Sequence, residues 1–372
     1  MVGVQLKATY AQTRKVNCDI LLEKVSNTIG PWKGGKFMPI TMRPFSINTH
    51  CISKLLFRCG SIDLRLGDIK KINKDIKSWL FADQLEYPED FVLHRPRASG
   101  GLGLLHIKYK AMSEQIRTFL ETAANLKFSP NLYHQSLLKW HVDNTQDIPE
   151  PKKNPYISEE IYTAIKKVKE EGLLNFAKMT SGQWYRVLVE SNVTMVTAAD
   201  TTQIFKPCRT EAKNPHVDWK LAWELADLNG LCSVDKSFLW RMLHNIHPTQ
   251  ERLHRLGMRN APTPFCNFCN LNLTDNLGHN LISCTFNSQV SDWLLQVVRP
   301  HVLRPVPAEL VLLNLGQIGE DMKLPLVWLL AQTLGQSWSC RKEKKRPQLH
   351  QTGAKIEAEI EILRQTIFLD AS

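Results

Sequence analysis

The sequence predicts a mainly α protein: a small basic helical bundle, then a helical domain built around a compact cysteine–histidine cluster, then a helical tail. Three observations predict this. Apolar residues recur at three- and four-residue intervals through most of the 372 residues, and almost nothing alternates as a half-buried strand would. Ten tryptophans within a 43% hydrophobic composition are enough to build real cores. Charge is gathered at one end: residues 1–80 hold 14 Lys/Arg against 5 Asp/Glu, a net of +9 out of +11, which leaves +2 for the other 292. The expected partition is 1–90, 91–215, 216–300 and 301–372.

Met1 to Lys15 carries no capping signal and no strong periodicity. From Cys18 the pattern is helical, with Leu21, Val25 and Ile29 in phase and Gly30-Pro31 as the stop. Trp32 to Pro44 reads as a basic loop, with Lys33, Lys36 and Arg43 among glycines and prolines. Ile47, Cys51 and Leu55 mark a second helix. Ile69, Ile72, Ile76 and Trp79 mark a third, with Lys70, Lys71, Lys74 and Lys77 on its other positions. Three short amphipathic helices bury their stripes only by packing together. Gly100, Gly101 and Gly103 lack the Lys-Ser/Thr that would complete a phosphate loop, so they predict a tight turn into a helix around 111–124.

Residues 130–155 are polar and proline-bearing and read as a linker. Ser158 predicts the cap of a short helix carrying Ile161, Ile165 and Val168, and Trp184 and Leu188 sit in another. The apolar run Phe238-Leu-Trp-Arg-Met-Leu243 follows Trp219 and Trp223, which lie one turn apart, and this aromatic stripe reads as core. Thr249 predicts a cap and Gly257 a stop for the next helix. Trp293 to Val297, Pro325 to Trp338 and Ala354 to Ile367 predict three more helices.

The chemistry-bearing stretch is Cys266-Asn-Phe-Cys269, followed by His279 and Cys284. Two thiolates two residues apart hold one ion from a single turn, and a later His and Cys complete the tetrahedron that Zn²⁺ favours. Four protein ligands leave no open position for a reactive water, so such a site is structural rather than hydrolytic. The alternative is two buried cysteines near an unrelated His and Cys. His244 and His247 lie close enough to be rival ligands, though satisfied surface histidines are the plainer reading. Nine cysteines, an odd number and six of them outside the cluster, predict reduced thiols in an intracellular compartment. The uncharged run Leu324 to Cys340 is too short and polar for a membrane span, and no secretory signal opens the chain.

The basic first module fits a polyanion partner, and equally a solvated helix face. The run Arg341-Lys-Glu-Lys-Lys-Arg346 reads as a nuclear-import signal, a nucleic-acid contact or a solvated loop.

A family resemblance runs through these motifs. Leu21 to Gly30, Trp32-Lys33, Arg43-Pro-Phe-Ser-Ile-Asn48, Ser53-Lys-Leu55, Trp79-Leu80, Arg95-Pro96 and Gly100-Gly-Leu-Gly-Leu104 resemble the part of a LINE-type (non-LTR) retrotransposon polyprotein that follows the reverse-transcriptase palm. Trp219, Phe238-Leu-Trp-Arg241, His247-Pro-Thr249, Arg252-Leu253, Gly257 and the Cys266, Cys269, His279, Cys284 set resemble the family's zinc-binding domain, and Trp328 to the Glu357-Ala-Glu-Ile helix fits its tail. The resemblance spans about residues 18–368 and implies a thumb-like first region, a connector, a zinc-binding domain and a C-terminal helical region. It further implies a nucleic-acid-binding C-terminal fragment with Zn²⁺ as its cofactor, and RNA or DNA as partner in a template–primer or target duplex. The polymerase part of the same polyprotein is a further partner, and a nuclear location is expected. Lys33, Lys36, Arg43, Lys70, Lys71, Lys74 and Lys77 are the expected nucleic-acid contacts. The tetrad Phe81-Ala-Asp83-Gln84 is similar to the family's catalytic motif but has Gln84 for the second acid, and one carboxylate cannot hold two catalytic metals. No polymerase chemistry is therefore expected from this chain. The competing class is a zinc-stabilised helical module that binds another protein and no nucleic acid.

Overall fold

A computed structural model describes residues 4–32, 38–60, 62, 64–81, 88–125, 165, 179–190, 208–213, 215, 217–269, 271–298 and 320–343. The fold is mainly α, as the periodicity predicts. Among the described residues the one β-type pairing is an isolated antiparallel bridge between Phe265 and Thr274. No described helix is long and apolar enough to cross a membrane. The chain divides into two compact units, each drawn from separated segments: 1–38, 43–82 and 104–204 in the first, 39–42, 83–103 and 205–372 in the second.

In the first unit, α1 (Tyr10–Ile29) begins earlier than its apolar stripe announces, because Thr9 accepts a hydrogen bond from the Gln12 N–H and caps it. Asn17, fully buried on α1, exchanges hydrogen bonds with the Gln5 backbone and ties the leading segment down. Residues 43–59 form one nearly continuous helical run: α2 (Arg43–Ile47), a π-helical turn (Asn48–Ile52) and α3 (Ser53–Cys59). It buries Ile47, Cys51, Leu55 and Cys59, the expected stripe. Next comes α4 (Leu66–Leu80), which buries Ile69, Ile72, Ile76 and Trp79 and packs on α1. Its first turn is closed by Arg65 and Asp68, whose carboxylate accepts from the Arg65 guanidinium at 2.7 Å. Trp79 donates to the Trp32 carbonyl at 2.8 Å, with the two indoles 5.6 Å apart. A second core joins α6 (Ile107–Asn125) to α7 (Ser181–Glu190), where Trp184 and Leu188 meet Met112, Ile116 and Leu120. Of the helix expected after Ser158, Ile165 alone is described, and it is buried in this core.

In the second unit, α5 (Asp90–His94) leads into the glycine turn. Gly100 has a left-handed φ of 79°, and a Cβ there would sit 2.4 Å from the Trp223 ring. Its carbonyl accepts from Trp240 Nε1 at 2.9 Å and from His244 Nε2 at 2.8 Å. The glycines thus serve close packing on the tryptophan helices α9 (Trp219–Ala226) and α10 (Ser233–Leu243). Beside them α8 (Arg209–Lys213) supplies Glu211, which accepts from Arg95 at 3.1 Å and Trp223 Nε1 at 2.7 Å. Thr249 caps α11 (Gln250–Arg255), and Gly257 follows it with φ 68°, as predicted. Then come a π-helical turn (His279–Ser283), α12 (Ser288–Val298) and α13 (Glu320–Lys342), which packs on α10 and α12. The helix expected over 354–367 lies outside the described residues.

Candidate metal centre

The cluster is built by a short knuckle. Backbone pairing of Cys266 N–H with Leu273 O and of Asp275 N–H with Pro264 O, each 2.9 Å, closes the chain on itself. That closure leaves Cys266 and Cys269 on one tight turn. Asn276 then accepts from the His279 N–H at 2.8 Å and starts the π-turn that presents the third ligand. Cys284 sits at the end of that turn. All four residues are buried, and their ligand atoms lie within 4.8 Å of one another.

The geometry fits zinc. The Cys266 and Cys284 sulfurs are 3.7 Å apart, far beyond a disulfide bond, and Cys269 Sγ is 3.4 Å from His279 Nε2. A tetrahedron with Zn–S of about 2.3 Å and Zn–N of about 2.0 Å has edges of roughly 3.8 and 3.5 Å. The protonation chemistry fits too. Burial holds the His279 ring below its ordinary value and hence neutral, as a ligand must be. At Cys266 burial pushes the thiol up, but the Phe268 N–H, the Arg341 guanidinium and the Cys269 N–H outweigh it and leave it lowered. Burial pushes Cys284 up to about 11. Two thiols this close resist losing both protons, and a divalent cation between them supplies the missing compensation.

Two residues complete the surroundings. Arg341, from the last turn of α13, places Nη2 2.7 Å from Asp275 Oδ1 and 3.4 Å from Cys266 Sγ. Its guanidinium carbon lies 4.4 Å from the centre of the Phe268 ring. Asp275 in turn accepts from the Gln250 N–H at 3.0 Å and from Asn280 at 3.2 Å. The centre therefore fastens the start of α11 and the end of α13 as well as its own loop. Nothing local in the sequence marks Arg341: it is 75 residues from Cys266. Its burial, at 4% exposure, removes it from the basic run read as an import signal or a nucleic-acid contact. Lys342 is exposed, and residues 344–346 lie outside the described residues.

Residues 201–291, which contain all four ligands, match the family model described as zinc-binding in reverse transcriptase. That match relates residues 201–291 to reverse transcriptases. No curated protein matches the chain. The match and the cluster together support zinc as the metal of this reverse-transcriptase-related segment.

The other expected site residues divide. Lys70, Lys71 and Lys74 are exposed on α4 and Lys77 is half-buried, with Lys70, Lys74 and Lys77 on one side by their spacing. Arg43 departs from the expectation. It is buried at 1% exposure, with Nε donating to Met38 O at 2.9 Å and Nη1 to Leu80 O at 2.5 Å. It satisfies a carbonyl at the end of α4 that has no partner within the helix, and no phosphate can reach it there. Lys33, Lys36, Asp83 and Gln84 lie outside the described residues. His244 and His247 are not surface histidines but core. His244 stacks on Trp223 with centroids 4.6 Å apart, and His247 donates to Phe238 O at 3.3 Å. Burial lowers them to about 4 and about 3. Neither belongs to the ligand cluster.

Proposed function

We propose that the chain is a nucleic-acid-binding, C-terminal part of a LINE-type reverse transcriptase, in which zinc folds the second unit and the lysines of α4 meet phosphates. The observation that carries this reading is the closed four-ligand cluster inside the segment that matches the reverse-transcriptase zinc-binding family. A closed tetrahedral site has no position for substrate, so its contribution is folding free energy rather than chemistry. The lysine face of α4 supports the binding half of the reading, since ammonium groups along one side of a helix suit a duplex backbone and carry little sequence choice. Template–primer or target duplexes are the proposed partners, together with the polymerase part of the same polyprotein, and the nucleus is the proposed compartment. On this reading the chain performs no nucleotide addition by itself.

The test is a salt titration of duplex binding by zinc-loaded protein, repeated with Lys70, Lys71, Lys74 and Lys77 all changed to Gln. The parent should lose affinity steeply with salt, and the variant should lose up to roughly four phosphate contacts' worth of that slope, about 0.9 each. Affinity that ignores salt points instead to an apolar protein partner. Equal slopes for parent and variant remove the α4 assignment. Primer extension by the chain alone would overturn the absence of polymerase activity.

A further inference from the structure

Beside the metal centre the second unit holds a cleft of about 390 Å³ that none of the structural roles above requires. That volume is within the roughly 300–1,000 Å³ range of small-molecule sites. The end of α10, α11, the knuckle and the last turns of α13 bound it. Arg241, Arg252, Arg341 and Lys342 bring four cations to its wall, and among the residues that line it Asp275 is the one carboxylate, a net of +3. Asp275 is already held by Arg341 and Asn280. Leu253, Leu256 and Trp338 also line it and are each half-buried. Arg341 Nη1 and His247 Nδ1, both buried in residues of this cleft, have no hydrogen-bond partner among the described residues. Buried polar atoms without a partner are uncommon, because each costs free energy that a ligand or water would recover.

A lining that brings cations together with apolar and aromatic side chains suits a ligand that carries both phosphate and a flat ring. We propose that the cleft receives one nucleotide of a single-stranded nucleic acid, its base along Leu253, Leu256 and Trp338 and its flanking phosphates against Arg241, Arg252 and Lys342. Arginine forks match phosphate oxygens in pairs, and base-on-aromatic stacking tolerates any sequence. A duplex offers no free base to Leu253, Leu256 and Trp338, since its bases face each other. An acidic peptide offers the charge but no flat ring. The proposal rests on the nucleic-acid-binding reading above and adds where an unpaired strand is held, at a place remote in sequence from the lysines of α4.

The test uses the full zinc-loaded chain and a fluorescent 12-nucleotide single-stranded homopolymer. In the variant, Arg241, Arg252 and Lys342 are all changed to Gln, with zinc content and circular dichroism matched to the parent. Loss of two phosphate contacts should lower the salt slope by about 1.4 and the affinity at low salt by roughly tenfold. The α4 lysine variant should keep most single-strand affinity. An oligonucleotide carrying a photoreactive iodouracil should crosslink the unmutated chain within 250–256 or at Trp338, a readout that no folding defect can mimic. The proposal is overturned if the triple variant binds the strand as the parent does, or if crosslinks fall elsewhere. It is also overturned if a polyglutamate peptide displaces the strand at equal charge, which would make the cleft an acidic-peptide site. Intact duplex binding beside either result leaves the broader reading standing. A parent that binds neither strand nor duplex overturns both.

Discussion

The two units solve the same problem, holding short helices together, with different materials. In the first, apolar stripes dominate: Ile69, Ile72, Ile76 and Trp79 are buried while Lys70, Lys71 and Lys74 stay in water, although Arg43 is buried too, against the Met38 and Leu80 carbonyls. In the second, charged and titratable groups are interior parts. Asp275, His247 and Arg341 are each at most 4% exposed, and Arg341 reaches the Cys266 sulfur of the ligand cluster. An apolar contact tolerates local error because it has no direction. A buried charge needs its partner in place, and losing the partner costs more than the pair was worth. The second unit should therefore be the more easily broken, by means to which the first is indifferent.

The largest difference should come from removing zinc. Structural zinc supplies folding free energy on the order of 10 kcal/mol at neutral pH. A strong chelator should speed amide exchange across 264–298 and at the end of α13, and leave α1, α4 and α6 protected. Equal loosening in both units, or no zinc by elemental analysis of pure protein, would sink the contrast.

Next in size is Arg341→Leu, which strands Asp275 as a buried unpaired charge and should cost about 3–5 kcal/mol. Urea unfolding of the second unit reads it, and the double change with Asp275→Asn should recover part of the loss. A neutral Arg341→Leu would mean that the ion pair is dispensable.

The third contrast is acid. His244 and His247 have folded values of about 4 and about 3, below their ordinary 6.5. Their contribution is complete above pH 6.5 and falls away as the pH drops, by about 1.4 kcal/mol per pH unit for each ring. In the first unit, burial raises Asp68 and Glu114, but Arg65 at the one and Ser181 with Lys110 at the other outweigh it and lower both. They start from 3.8 and 4.5, so that unit should respond only below about pH 4.5. With zinc in excess, α9 and α10 amides should loosen between pH 6.5 and 4.5 while α4 amides hold. Simultaneous loosening would refute the assignment.

What the sequence made legible follows the same division. The α4 stripe could be read because its period is local, and the Thr249 cap and Gly257 stop because capping acts within one turn. The metal ligands could be read because all four fall between 266 and 284. The turn at Gly100 to Gly103 could be read as well, but its partners Trp223, Trp240 and His244 could not, and neither could the places of Arg43 and Arg341. Arg43 looked like a loop cation and is a buried cap for Leu80, 37 residues on. Arg341 looked like part of an exposed run, and Asp275, which neutralises it, is 66 residues away. His244 and His247 carried no mark of burial, because the carbonyls they meet are identical in every residue.

The Gly100 carbonyl has a consequence in time. Its two donors sit 140 and 144 residues later in the chain. A ribosome adding about 5–20 residues per second leaves that carbonyl waiting on the order of ten seconds for them. Through that interval the 83–103 segment has emerged and its docking surface has not yet been made. The second unit therefore cannot close in the order of synthesis, and a nascent chain stalled before Trp240 would present this segment to whatever binds extended peptide.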